Sequence, residues 1–322
     1  MRSSSRVPAA NSGPCAVLPS STSRSKSEDS IEDAVRHSRP VTPHSQRCLF
    51  AVVALLAAFA GTKCASPPPP VALPPAPVVP PPEPEPPPEP ECPEEMAMVD
   101  GPRGAFCVDR YEASIEIESA PGQREPWPGN RPVDGQEASI VAVSRKGASP
   151  QGYISGKQAA VACERAGKRL CAPDEWSLAC RGPKGTRYPY GDQRAADVCN
   201  DRFKRFTNHP VPRLFKATMP RGTRASKMWT PTFMNDPRLH ELPDTVAPTG
   251  AFPECTNELG VYDMVGNLHE WVADPKGTFM GGFFMDTFQN GEGCEYRTTA
   301  HGFDYHDYST GFRCCGDPAP ER

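Results

Sequence analysis

The distribution of apolar and polar positions divides the chain unevenly. Two stretches carry helical signals. Ser155 is placed to cap a helix over 156–166, and Gly167 supplies its stop. After Lys168, Arg169, Leu170 and Cys171, a second helix should open at Ala172 and Pro173. Proline suits the first helical position, and Asp174 and Glu175 suit the positive helix end. Trp176, Leu178 and Ala179 form its apolar side, and Gly182 and Pro183 end it. Elsewhere the pattern is short strands and turns. Gly, Pro, Asn and Asp recur every few residues from 183 to 260. Residues 200–245 show no clear periodicity and read as long loops. No internal repeat is visible. This reading gives an α+β domain with few helices and much irregular structure.

Nearer the start, residues 49–60 form an apolar run preceded by Arg47. The run is too short to span a bilayer and fits the apolar core of an export signal, within a signal and cleavage region at 48–64. Ala58, Phe59 and Ala60 form an A-x-A cleavage site. Cys64 alternatively stands where the acylated cysteine of a lipoprotein would be, although Lys63 precedes it where such signals want a small residue. An uncleaved anchor is the third outcome. Residues 1–47 are rich in Ser and Arg and poor in apolar residues, which predicts a disordered extension. A translation start near Val41 would remove most of it.

Composition sharpens this division. The 322 residues include 41 Pro, and sixteen of those fall within 67–93. Such a stretch lacks backbone donors and should run as extended polyproline II, reaching about 80 Å. The segment 65–94 reads as a spacer; the alternative is a ligand for a proline-reading module. The formal net charge is −4, with 35 basic and 39 acidic residues, which argues against a nucleic-acid binder driven by bulk charge. Any membrane contact is expected only through the N-terminal segment.

The chain holds 13 Cys without a C-x-x-C pair, so disulfides in an oxidising compartment are the default. Ten of them lie at 92, 107, 163, 171, 180, 199, 255, 294, 314 and 315. Localisation is therefore expected to be exported: periplasmic, cell-surface or extracellular. Roughly 230 residues from Cys92 onward can bury a core of their own, so the bridges should reinforce a loop-rich fold.

The motifs of this block stand in a recognisable order. They begin with Met-Ala-Met-Val-Asp-Gly at 96–101 and Phe-Cys-Val-Asp-Arg-Tyr-Glu-Ala-Ser at 106–114. Gly-Lys-Arg-Leu-Cys-Ala-Pro-Asp-Glu-Trp follows at 167–176, then Ala-Cys-Arg-Gly at 179–182 and Tyr-Pro-Tyr-Gly-Asp at 188–192. Asn-Glu-Leu-Gly-Val-Tyr-Asp-Met-Val-Gly-Asn-Leu-His-Glu-Trp occupies 257–271. Gly-Gly-Phe at 281–283, Tyr-Arg-Thr-Thr-Ala-His at 296–301 and Gly-Phe-Arg-Cys at 311–314 complete the set. Together they resemble the sulfatase-modifying-factor domain, the family of the formylglycine-generating enzyme, over residues 95–316, with 317–322 as a tail.

The resemblance implies a variant C-type-lectin-like fold, rich in loops. It also implies a chemistry: active members oxidise a sulfatase cysteine in a C-x-P-x-R peptide to formylglycine. Their copper(I) is held by two cysteines about five residues apart, soft thiolates that suit the ion. Here only Cys294 lies in that stretch, offset by one position, and the partner position is not cysteine. A lone thiolate cannot make the two-coordinate copper site. Cys294 is instead expected to pair with Cys314 or Cys315. A remodelled catalytic site around Cys294, Arg297 and His301 is the enzymatic alternative to a non-catalytic lectin-like module holding a protein, peptide or glycan partner in the cell envelope.

Calcium is the second implied group. The family turn matching 263–270 binds it through two side chains and two backbone carbonyls, here Asp263, Gly266, Leu268 and Glu270. Carboxylates are hard donors, and Gly266 can bend the backbone toward the ion. A second family site matches Asn200 and Asp201. A separate possibility is a two-histidine, one-carboxylate metal site drawn from His269, His301, Asp304, His306 and Asp307. Trp176, Trp271 and Tyr262 read as core aromatics. Phe283, Phe303 and Tyr308 are candidates to line a cleft for a glycan or peptide.

Overall fold

The structure is a computed structural model that describes residues 90–201, 208–220 and 224–320. The extension 1–47, the apolar run, Cys64 and the spacer up to residue 89 lie outside the described residues. Among the described residues, no helix is long and apolar enough to cross a membrane.

Both expected helices are present, with the caps the sequence assigns them. Helix α1 spans Gly156–Arg165. The Ser155 hydroxyl accepts from Gln158 N at 3.2 Å, and Gln158 Oε1 accepts from Ser155 N at 3.0 Å, a reciprocal capping box. Helix α2 spans Pro173–Arg181, and Glu175 reaches back to accept from Ala172 N at 2.8 Å. Gly182 stops it at a φ of 61°, a conformation that disfavours a side chain, and Asn257 packs against that stop. Two shorter helices, α3 (Pro210–Phe215) and α4 (Pro231–Met234), appear where the sequence reads as loop. Each opens with proline at its first turn; both are too short to leave a periodic pattern.

The strands are short and would be marginal alone. Phe106–Asp109 pairs with Met96–Val99 on one side and Cys314–Gly316 on the other, with Arg169–Leu170 at the edge. Ala113–Ala120 is the centre of a second sheet, between Gln123–Pro126 and Ile140–Ser144. In a third, His269–Trp271 lies between Phe279–Met280 and the parallel strand Thr310–Phe312, with Arg297–Thr298 outermost. Pro90–Glu91 pairs with Ala319–Pro320, so residues 90–94 join the fold rather than the spacer and 319–320 are more than a tail. Proline is tolerated there because the strand is an edge.

Disulfides tie these pieces together. Successive residues of a strand point to opposite faces, and adjacent Cys314 and Cys315 use both. Cys314 bonds Cys163 of α1, in the cluster holding Trp271 and Leu170; Cys315 bonds Cys171, in the cluster holding Trp176 and Val108. Cys92–Cys107, Cys180–Cys294 and Cys199–Cys255 complete the set. Every cysteine among the described residues is thus bonded. The expected pairing of Cys294 with Cys314 or Cys315 is corrected: those two are taken by Cys163 and Cys171, and α2 brings Cys180 to Cys294 instead. The result is an α+β, loop-rich, disulfide-reinforced fold, as the sequence reading expects.

Candidate functional site

A buried polar knot lies under the turn 263–270. Its cation is Arg313, fully buried on the loop between Thr310–Phe312 and Cys314–Gly316. Arg313 Nε and Nη2 donate to the two Glu270 oxygens, each at 2.7 Å, and Trp176 Nε1 donates to Oε2 at 2.7 Å. Arg313 also donates to the carbonyls of Asp109 and Tyr262. Asp109 is buried as well; it accepts from Lys168 Nζ at 2.7 Å and from Cys314 N at 3.0 Å. Burial outweighs the Lys168 charge and raises the Asp109 pKa.

Two further carboxylates face this knot. Asp263, with a positive φ of 57°, accepts from Gly250 N at 2.6 Å. Burial pushes its pKa up to about 6, against the attraction of Arg313. Glu112 accepts from Asn267 Nδ2 at 2.5 Å and Leu268 N at 3.1 Å. Burial and the neighbouring charges of Asp263 and Glu270 raise it well above the usual carboxylate range. Asn267 holds the turn in place. Its Oδ1 accepts from Asn200 Nδ2 and Ala247 N, and its Nδ2 also donates to Ala247 O. Gly266 (φ 86°) passes so close to Asn200 that a Cβ would sit 2.3 Å from the Asn200 carbonyl oxygen.

The structure thus brings Asp263, Gly266, Leu268 and Glu270 into one turn and sets Asn200 against it. Their oxygens are hard donors of the kind calcium takes, but Arg313 and Trp176 already occupy both Glu270 oxygens, and among the described residues no group of three or more His, Cys, Asp or Glu is arranged to hold a metal. An ion there would share Glu270 with Arg313 and Trp176. Asn200 and Asp201 are differently disposed. Arg194 grips Asp201 with Nε at 2.8 Å and Nη2 at 3.1 Å, and Asn200 Nδ2 donates to Thr245 O and Asn267 Oδ1. Both side chains are committed to protein partners.

Cys294, Arg297 and His301 do not converge as a reactive group. Cys294 is buried with its sulfur bonded to Cys180. Arg297 is half exposed and lies 3.8 Å from Asp274. His301 lies flat on Tyr305, ring centroids 3.7 Å apart. The two-histidine, one-carboxylate idea is corrected too. Among the described residues no group of three or more His, Cys, Asp or Glu is arranged to hold a metal. His306 Nδ1 is 2.9 Å from Asn235 Oδ1, and Asp307 accepts from Tyr305 Oη and Ser309. His269 is buried among Phe279, Phe283 and Tyr296, and burial lowers its pKa to about 3.

Trp176 and Trp271 are fully buried, while Tyr262 is half-buried and stacks on Tyr111 at 5.0 Å. Of the cleft candidates, Tyr308 is buried and bonded to His209, and Phe283 packs on His269. Phe303 does line a groove of about 550 Å³, with Ala160, Leu170, Ala172, Ala273 and Pro275. Sequence reasoning passed over Glu112, Arg313, Lys168 and Asn267 as site residues. Their signal was a charged or amide side chain inside a run that otherwise reads as buried.

A family model described as the sulfatase-modifying factor enzyme 1-like domain matches residues 107–316. The inactive C-alpha-formylglycine-generating enzyme 2 of Mus musculus is 28% identical over 176 residues, 51% of this chain and 48% of that protein. The formylglycine-generating enzyme of Mus musculus is 27% identical over 215 residues, 59% of this chain and 49% of that protein. The chain spans about half the length of these curated relatives. Among solved structures, CarF aligns at 15% identity with a TM-score of 0.39, covering 70% of this chain and 98% of that one. With the family model covering well over half of the residues, the chain belongs to the sulfatase-modifying factor enzyme 1-like, or formylglycine-generating enzyme, family.

Proposed function

We propose that this chain is a non-catalytic member of its family: an exported binding module of the cell envelope that holds a protein, peptide or glycan partner. The observation that carries this reading is the Cys180–Cys294 bond. The family's oxidation needs a pair of thiolates on copper. Here the cysteine nearest that position is buried and spent in a disulfide, and the other described cysteines are bonded as well. A relative named as an inactive formylglycine-generating enzyme is a precedent within the family. Five bridges also support an oxidising compartment, and with it export. The turn 263–270 is the calcium site of this reading, with Asp263 and Glu270 as side-chain ligands and Gly266 and Leu268 as carbonyl ligands.

Alkylation of the unreduced, denatured protein followed by peptide mapping tests the proposal. Cys294 should stay unlabelled, and a C-x-P-x-R peptide incubated with copper and oxygen should keep its cysteine. A labelled Cys294 together with conversion of that peptide would restore the oxidase reading.

A further inference from the structure

Between positions 201 and 240 the sequence carries nine Lys or Arg against two carboxylates, in a chain whose net charge is −4. The described parts of this stretch build one small lobe. Helix α3, the turn Ala225–Met228, α4 and the turn Pro237–Leu239 pack on one another around Val211, Phe215, Met228 and Leu239. Its outer side chains include Arg213, Lys216, Arg224, Lys227 and Arg238, all exposed. Arg238 is tied to Asp236, and Arg213 donates to the Pro243 carbonyl. Lys216, Arg224 and Lys227 make no ion pair among the described residues. Many exposed basic residues elsewhere are matched locally, as in Arg103–Asp174, Arg145–Glu116, Lys184–Glu258 and Arg187–Glu292, while those without an ion pair among the described residues, Arg131, Lys146 and Lys276, are scattered rather than gathered in one lobe. The lobe therefore presents cationic charge that the domain itself leaves uncompensated.

Apolar side chains are interleaved with that charge. Leu214, Met219, Phe233 and Met234 are only partly buried against the lobe's core. Basic residues mixed with partly exposed Phe, Met and Leu make the composition of a surface that lies in a lipid headgroup layer, where long cationic side chains reach phosphates and apolar ones sink below them. A soluble polyanion would use the charge but not the apolar groups. We propose that the lobe formed by 208–220 and 224–240 docks on a bilayer surface rich in anionic lipid. Charge near such a surface acts additively: each Lys or Arg strengthens binding about fivefold at low salt. Stable membrane attachment usually takes two signals, a single lipid chain or short apolar segment being marginal alone. The lobe supplies a second signal beside whatever the N-terminal segment provides, and it does so whether or not the domain is catalytic.

The test is binding of the full chain to phosphatidylcholine vesicles with and without phosphatidylglycerol, beside the triple variant K216Q/R224Q/K227Q. The N-terminal residues are the same in both proteins, so the difference between them reads the lobe. All three side chains are exposed, and disulfide mapping confirms that the variant folds. The expected result is a preference for anionic vesicles that weakens with salt and drops on the order of a hundredfold in the variant, with neutral vesicles bound equally by both. Equal binding of the two proteins to anionic vesicles would overturn the proposal. So would a variant that loses binding to dextran sulfate while keeping its affinity for the vesicles, since the lobe would then serve a soluble polyanion.

Discussion

The Arg313 guanidinium closes on the Glu270 carboxylate through two hydrogen bonds of 2.7 Å, with both side chains almost wholly out of solvent. Glu270, Glu112 and Asp263 all bear on that one cation. Removing Arg313 leaves three buried carboxylates without a counter-charge. Arg313→Met should therefore cost about 3–5 kcal/mol, read as a lower urea midpoint. Glu270→Gln alone turns an amide NH₂ toward a guanidinium and should cost a similar amount. In the Arg313→Met background the same change should cost far less, because the charge that needed Arg313 is gone. Additive losses in that double-mutant cycle would mean that the pair is not coupled.

Acid sensitivity should come from buried histidines: His209 and His240 of the lobe formed by 208–220 and 224–240, which packs against Tyr308, and His269 outside it. His240 Nε2 lies 2.5 Å from the Tyr308 carbonyl, and its ring packs on Tyr153. His209 Nδ1 accepts from Val211 N, so its Nε2–H is the donor to Tyr308 Oη at 2.9 Å. Burial lowers both pKa values to about 4. A second proton on His209 would meet the Val211 N–H head on. The folded pKa values lie below the unfolded value of about 6.5, so the unfolded chain takes up protons first. The stabilisation is complete above pH 6.5 and is lost as the pH falls from there toward about 4. At pH 5 each histidine should cost on the order of 2 kcal/mol. Buried Asp109, Asp307, Asp263 and Glu112 are shifted upward, Asp263 to about 6, so their contributions run the other way, are lost as pH rises above the ordinary carboxylate range and partly offset the histidines. Urea midpoints measured from pH 7.5 to 5 should fall, and His240→Gln should flatten that slope even though it lowers the absolute stability. An unchanged slope in the variant would remove His240 from the account.

Calcium should act on the turn 263–270. If Asp263 and Glu270 bind the ion, a hundredfold excess of calcium over its dissociation constant stabilises the fold by about 2.7 kcal/mol. The thermal midpoint should rise with calcium, fall back with chelator, and lose this response in Asp263→Ala. Identical midpoints in calcium and chelator would mean that the knot balances its charge by keeping Glu112 and Asp263 protonated, in line with their raised pKa values.

How much of this was legible in the sequence depended on whether the signal was local. Ser155, Pro173, Asp174 and Glu175 act within one helical turn, and both helix starts could be read from them. Asp263 and Glu270 stand out only through the family resemblance of the turn 263–270; their spacing alone does not say that both turn inward. Arg313 was quoted only as part of a motif. Its partners Asp109 and Glu270 are 204 and 43 residues away, and nothing in the local pattern says that the guanidinium turns inward. The bridges failed for the same reason: Cys180 and Cys294 are 114 residues apart, and only the packing of α2 makes them neighbours. Helices α3 and α4 were missed because four to six residues cannot display a helical period.

That long-range bridge also allows a direct trial of the functional reading. Cys180→Ala would free the Cys294 thiol inside an otherwise bridged domain. Cys163–Cys314 and Cys171–Cys315 remain, so the loop released is only the short stretch from Cys171 to Cys180 joined to that from Cys294 to Cys315. The loss should be about 3.5 kcal/mol rather than the nearly 5 that a loop of 114 residues would imply. The variant should fold, and mild unfolding with alkylation should label Cys294 alone among the domain cysteines. A single thiolate gives copper(I) one sulfur where the family's chemistry needs two, so a C-x-P-x-R peptide should keep its cysteine in the presence of copper and oxygen. A mass loss at that cysteine, seen with Cys180→Ala and abolished when Cys294→Ala is added, would show that the domain retains an oxidase site masked by its own disulfide, and the non-catalytic reading would fall.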